Sequence, residues 1–232
     1  MSKVTIVLMR HGQTVFNVER KVQGWSDSFL TQEGKEMVCK RARELKKEYT
    51  FDAIYSSDSS RAIQTARLMA VEYGMNPEDV KLHSGMREYC YGPFEGGPDR
   101  KMYRAIMWKA LWNSSYLKKM KSNDISYFFD CLSEINSKKQ NPYFSENYLD
   151  FKNRLLLALR TIAIEAIENE KQCVLVLTHG HALTTLFASL ANKEYNEAFT
   201  HIPVLENCAV LALEYDSDYD TYSVIQFINT KV

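Results

Sequence analysis

The chain has 232 residues, 45% of them hydrophobic, with 29 Lys plus Arg balanced by 29 Asp plus Glu to a formal net charge of zero. That balance lacks the electrostatic footprint of a nucleic-acid binder, and 14 Tyr, 11 Phe and 3 Trp are poor material for a disordered chain. Five scattered cysteines (Cys39, Cys90, Cys131, Cys173, Cys208) form no C-x-x-C pair, a pattern that fits reduced thiols better than a disulfide framework.

Val4–Met9 is a continuous apolar run that predicts a strand buried on both faces. It stops at Arg10, too short for a signal-peptide core or a membrane span, and no other stretch is long and apolar enough to cross a bilayer. The expectation is a cytoplasmic protein without membrane partners. Thr31 predicts the cap of a helix that runs through Val38, Ala42 and Leu45 to about Tyr49. Phe51–Tyr55 predicts a second strand, Ser59–Tyr73 a helix stopped by Gly74, and Val80–His83 a weaker strand.

Between Gly97 and about Pro142 the pattern changes. Tyr103, Ile106, Trp108, Leu111 and Trp112 fall on a helix, followed by Tyr127-Phe128-Phe129. Residues 97–142 read as a helical cap inserted into a single domain spanning 1–232, with the aromatics forming the cap's own core. A long helix is predicted from about Ser145 to Asn169, a buried strand over Cys173–Leu177, and a helix from His181 to about Leu190. Ala209–Tyr215 and Tyr222–Ile228 flank Asp216-Ser217-Asp218 and predict a closing hairpin. Alternating strands and helices imply an α/β fold: a three-layer α/β/α sandwich with a mostly parallel central sheet, an inserted helical cap and a C-terminal hairpin.

Polar clusters follow four strand candidates: Arg10-His11-Gly12, Ser56-Ser57 with Arg61 beyond, Glu88, and Thr178-His179-Gly180-His181. Ligands of open α/β sheets bind beyond the carboxyl ends of the strands, so these distant positions are expected to converge. Two guanidiniums match phosphate oxygens with bidentate donors. One imidazole can act as nucleophile, a second can stabilise charge on the transferred group, and a carboxyl can protonate the leaving oxygen. The set fits phosphoryl transfer through a phosphohistidine.

LMRHGQTVFN resembles the signature of the histidine phosphatase superfamily, the phosphoglycerate mutase-like proteins. QGWSDSFLTQEG, SSDSSRAIQTA, REYCYGPFEGG, LVLTHGHAL and VLENCAVLALEY continue the resemblance in the family's order. It covers about Lys3–Gly97 and Lys171–Ile228 and is thin between them. The resemblance implies His11 as the phosphorylated nucleophile and Glu88 as proton donor. It also implies Arg10, Arg61 and His179 around the phosphate, with Asn17, Gln23 and Gly24 lining the pocket. Gly12 and Gly180 would let the backbone approach the phosphate.

Plainer readings stand beside these. Glu95 is a rival carboxylate, set aside because of where Glu88 stands relative to Tyr91-Gly92 and Phe94-Glu95-Gly96. His179-x-His181 invites a metal, but no cysteine pair or HExxH accompanies it, so neither metal nor organic cofactor is expected. His181 is placed at the pocket rim or helix start, and His83 and His201 are read as structural. The expected activity is a phosphomonoesterase acting on a small phosphorylated metabolite. A mutase is the alternative, disfavoured because Tyr89 follows Glu88 where that branch carries an arginine, and because Arg100 and Arg104 are not adjacent. A non-catalytic phosphate-binding module is the third reading. The oligomeric state is not legible.

Overall fold

The structure, a computed structural model, describes residues 2–121, 126–137, 146–191 and 205–229. Its centre is a six-stranded sheet of β1 (Lys3–Arg10), β2 (Ala53–Ser56), β3 (Lys81–Leu82), β4 (Cys173–Thr178), β5 (Val210–Asp216) and β6 (Thr221–Ile228), in the order β3-β2-β4-β1-β5-β6. β1, β2, β3 and β4 pair in parallel, while β5 runs antiparallel to β1 and β6 to β5. The middle strands are apolar on both faces because both faces are covered. Ile6 and Leu8 face one core cluster while Val7 and Met9 face the other, and all four are fully buried.

Two helices cover one face. α2 (Gln32–Leu45) is capped by the Thr31 side chain, which accepts from the Gly34 N–H. α3 (Ser60–Tyr73) ends at Gly74 with φ 72°, a left-handed conformation that glycine adopts without steric cost. The other face carries α7 (Tyr148–Glu168) and α8 (Gly180–Leu190). On α7, Phe151, Leu155, Ala158, Leu159, Ile162 and Ala166 form the buried stripe.

Three helices precede α7. α4 (Asp99–Leu111), α5 (Ser114–Lys121) and α6 (Ser126–Ser137) pack on one another and share their core with α7 and the sheet. The predicted elements therefore form, with shifts at their ends. β3 shrinks to two exposed residues at the sheet edge, because it pairs on one side only. The helix expected from about Ser145 starts at Tyr148, after an Asn147 cap that accepts from the Asp150 N–H; Ser145 and Pro142 lie outside the described residues. None of the described helices is long and apolar enough to cross a membrane.

Candidate active site

Three neighbouring strands bring the predicted residues together. Arg10 ends β1, His11 follows it, and the His11 N–H bonds the Thr178 carbonyl at the end of β4 (3.1 Å). Ser57 follows β2 and donates its own N–H to Leu177 on β4 (2.9 Å). His179 follows β4 as the N-cap of α8. The imidazoles of His11 and His179 thus meet with ring centroids 5.4 Å apart and planes at 60°.

The protonation of His11 follows from one contact. Its Nδ1 lies 2.8 Å from the Gly12 carbonyl oxygen, which can only accept, so Nδ1 carries the hydrogen and Nε2 keeps its lone pair. Burial, then the charges of Arg61 and Arg10, hold the His11 pKa well below its ordinary value. The ring is neutral at physiological pH, as a nucleophile must be. His179 is held low by the same causes, burial first and Arg61 next. Its Nε2 pairs with the Ser57 hydroxyl at 2.9 Å. With Ser57 donating, Nδ1 carries the hydrogen.

Around these rings sit three buried nitrogens with no hydrogen-bond partner among the described residues: Arg10 Nε, Arg61 Nε and His179 Nδ1. A buried donor left unpaired costs about 1–3 kcal/mol, more when charged. Three such donors in one neighbourhood can bind an anion.

Arg61 itself is fully buried. Its guanidinium donates to the carbonyls of Ser26 (3.1 Å), Gln23 (3.4 Å) and Gly24 (2.8 Å) and to the Asp27 carboxylate (3.0 Å), so most of it holds the loop over the site. Arg10 donates in part to the Leu205 carbonyl.

A cavity of about 860 Å³ opens beside this group, lined on the inside by Arg10, His11, Glu88 and Gly180. Arg61 and His179 stand behind that lining rather than on it. Asn17 and Gln23 border the cavity, yet their side chains are largely engaged. The Asn17 Oδ1 accepts from the Thr14 N–H (3.1 Å) and the Asn207 amide (3.2 Å). The Gln23 Oε1 accepts from the Thr14 hydroxyl (2.7 Å).

Of the three glycines expected at the pocket, Gly12 and Gly24 are tightly packed. A Cβ on Gly24 would stand 2.1 Å from the Tyr89 carbonyl oxygen, and one on Gly12 would stand 2.7 Å from Val38 Cγ2 on α2. Gly180 does face Arg10, but a Cβ there would sit at ordinary contact, 3.5 Å from Arg10 Nε.

Glu88 and Glu95 have separate places. Glu88 is buried and lines the cavity. Its carboxylate accepts the N–H groups of Tyr89 (2.9 Å), His181 (2.9 Å) and Ala182 (3.1 Å), two of them from the first turn of α8. Glu95 faces the loop over Arg61, accepting from the N–H groups of Gly24 (3.1 Å), Trp25 (2.9 Å), Ser26 (2.9 Å) and Tyr91 (2.9 Å).

One positioning residue, Arg154, was not singled out by sequence reasoning. Arg154 on α7 bonds the carbonyls of Gly85 (2.8 Å), Arg87 (3.0 Å) and Glu88 (3.3 Å) and pairs with the buried Glu146 carboxylate (2.6 Å). It clamps the segment that carries Glu88. An arginine between Phe151 and Ala158, on an otherwise apolar stripe, was the available signal. His181 lines the cavity, and its Nδ1 shares a hydrogen bond with the Tyr91 hydroxyl. Of the aromatics expected to form cap core, Phe129 does and Phe128 does while also walling the cavity; Tyr103 and Tyr127 wall the cavity, and Trp108 and Trp112 are exposed to solvent instead. The His83 Nδ1 accepts from the Gly85 N–H (3.1 Å), a local structural role; His201 lies outside the described residues.

Paired histidines, two arginines and a carboxylate thus stand together at the carboxyl edge of the α/β sheet. The model of the histidine phosphatase superfamily (branch 1) matches residues 6–227, and the chain belongs to that family. The 2,3-bisphosphoglycerate-dependent phosphoglycerate mutase of Buchnera aphidicola is 28% identical over 198 residues, 83% of this chain and 86% of that enzyme. The same-named enzyme of Nitratidesulfovibrio vulgaris is 38% identical over 93 residues, 40% of this chain and 37% of its own length. Among solved structures, phosphoglycerate mutase from Bacillus anthracis superposes with a TM-score of 0.81 at 29% identity, covering 98% of this chain and 93% of that one. Phosphoserine phosphatase from Entamoeba histolytica shares the fold with a TM-score of 0.65 at 24% identity, covering 98% of each chain.

Proposed function

We propose that the protein is a phosphomonoesterase that hydrolyses a small phosphorylated metabolite through a phosphohistidine on His11. The observation that carries this reading is the set of unpaired buried donors, Arg10 Nε, Arg61 Nε and His179 Nδ1, around a neutral imidazole. A phosphate seated against His11 meets Arg10 on the cavity lining, with the donors of Arg61 and His179 directly behind it. The His11 Nε2 lone pair forms a bond to phosphorus while the bond from phosphorus to the ester oxygen breaks, and Glu88 gives its proton to the leaving oxygen. The His179 N–H stabilises the charge that gathers on the phosphoryl oxygens. Water, losing its proton to Glu88, then attacks phosphorus; phosphate departs and His11 regains its lone pair. The Glu88 carboxyl is held in place by three N–H donors, those of Tyr89, His181 and Ala182. Residues 97–142 are read as a cap, whose Asp99, Met102, Tyr103, Tyr127 and Phe128 line the cavity.

Mutase activity is the second reading, favoured by the names of the relatives and by Arg20 and Lys21 on the cavity wall. Against it, Tyr89 is a core residue whose hydroxyl bonds the Glu146 carbonyl (2.5 Å), and Arg100 and Arg104 point to solvent. A phosphate-release screen across phosphosugars, phosphoglycerates, nucleotides and phospho-amino acids, with a parallel assay for isomerised product, decides between the two. Expected is net phosphate release, an acid-labile and base-stable phosphate on His11, and loss of both in His11→Ala. Isomerised product without release would establish the mutase. Turnover retained in His11→Ala would remove the mechanism.

A further inference from the structure

The cavity beside His11, at about 860 Å³, is far larger than one phosphate needs, and its lining includes a cation that the phosphate chemistry leaves unused. Arg20 lies on that lining with φ 52°, a left-handed conformation. The cause is the end of α1 (Val15–Val18). The Arg20 N–H bonds the Asn17 carbonyl (3.3 Å) and the Lys21 N–H bonds the Phe16 carbonyl (2.9 Å), the helix ending whose left-handed position is normally glycine. The turn has no slack to relax. The Arg20 carbonyl accepts from the Asp99 N–H (2.9 Å), and Val22 exchanges bonds with Gly97 (2.8 Å) and Gly96 (3.0 Å).

The sequence therefore keeps an arginine where the backbone favours glycine, and its side chain is exposed with no acid in ion-pair contact among the described residues. Its neighbour Lys21 is differently placed, ion-paired with Glu19 (2.7 Å) and lying 5.2 Å from the Phe16 ring centroid. Strain held at a cavity wall is a mark of function when the side chain it presents has no structural partner.

We propose that Arg20 is a specificity-determining residue that binds a second oxyanion of the substrate, a carboxylate or a second phosphate, while the first phosphate sits against His11. The proposal rests on the phosphomonoester reading of the site. A guanidinium fork matches both oxyanions, and a cavity of about 860 Å³ leaves room for a substrate that carries two.

The test uses matched ligands and three proteins. Affinities for glycerol 3-phosphate against 3-phosphoglycerate, and for glucose 1-phosphate against glucose 1,6-bisphosphate, are measured by calorimetry in a His11→Ala background, where binding does not depend on turnover. The same pairs are measured with Arg20→Gly and Arg20→Ala added. The parent is expected to prefer the doubly anionic member of at least one pair, and both variants to lose about 10- to 100-fold of that preference. The pair that responds identifies the second group as carboxylate or phosphate.

Arg20→Gly, which relieves the left-handed residue, is expected to raise Tm by roughly 2–4 °C, whereas Arg20→Ala is not. A preference that persists in Arg20→Ala, or no preference in the parent, overturns the proposal. Arg20-dependent preference in a protein that hydrolyses none of these esters upholds the role of Arg20 and removes the phosphatase reading instead.

Discussion

Glu88 and Glu95 show how one side chain takes two jobs from its surroundings. If Glu88 donates the proton, Glu88→Gln is expected to cost on the order of 10²–10⁴ in rate for alkyl phosphates, and far less for p-nitrophenyl phosphate, whose leaving phenolate needs little protonation. Equal losses on both substrates would make Glu88 a residue that orients the pocket. Glu95 accepts four backbone N–H groups and the Ser26 hydroxyl (2.5 Å), with no donor of its own to offer. Glu95→Gln turns an amide N–H₂ toward those donors, so a loss of about 2–3 kcal/mol is expected, a fall in Tm of roughly 5–10 °C without leaving-group dependence. Leaving-group dependence in Glu95→Gln would transfer the acid role to it.

At the scale of elements, the site is held by contacts between segments far apart in the chain. α7 brings Arg154 to the segment of Glu88, and the first turn of α8 fixes the Glu88 carboxylate. Arg154 touches no cavity surface and acts as a positioning residue. Arg154→Lys keeps the charge but cannot span Glu146 and three carbonyls at once. It is expected to lower kcat about tenfold for alkyl phosphates, to leave KM within about twofold, and to spare p-nitrophenyl phosphate. Equal loss on both substrates would show that the clamp supports the whole pocket rather than the acid. The legibility of these elements was uneven for physical reasons. β1 and β4 are buried on both faces and so carry long apolar runs, while β3 is a two-residue edge with no pattern to read.

Across the whole molecule, burial of histidines links stability to pH. His11, His179 and His181 all have pKa values lowered, in each case by burial first. The folded chain keeps these rings neutral below pH 6.5 while the unfolded chain protonates them. Their contribution is therefore complete above about pH 7 and is lost as pH falls below the unfolded value, by up to about 1.4 kcal/mol per pH unit for each ring. Urea midpoints from pH 7.5 to 5.5 are expected to decline accordingly, and His181→Gln to flatten the slope. An unchanged slope would mean that His181 is protonated in the folded state. The low His11 value also predicts that kcat/KM keeps no acid limb near pH 6.5 from the nucleophile.

The sequence by itself determined the fold class, because strands buried on two faces and helices buried on one leave periodicities that need no coordinates. It also led to the expectation that His11 and His179 converge, since both follow buried strands; that β1 and β4 are neighbours, so that the two rings meet, was decided by the tertiary structure. Tertiary structure alone decided which residues face the cavity. Arg61 turns most of its donors to the loop carbonyls, Gly12 and Gly24 yield their space to Val38 and Tyr89, and Glu95 binds backbone while Glu88 lines the cavity. The direction of a side chain depends on hydrogen bonds between segments tens of residues apart, and local pattern carries no record of them.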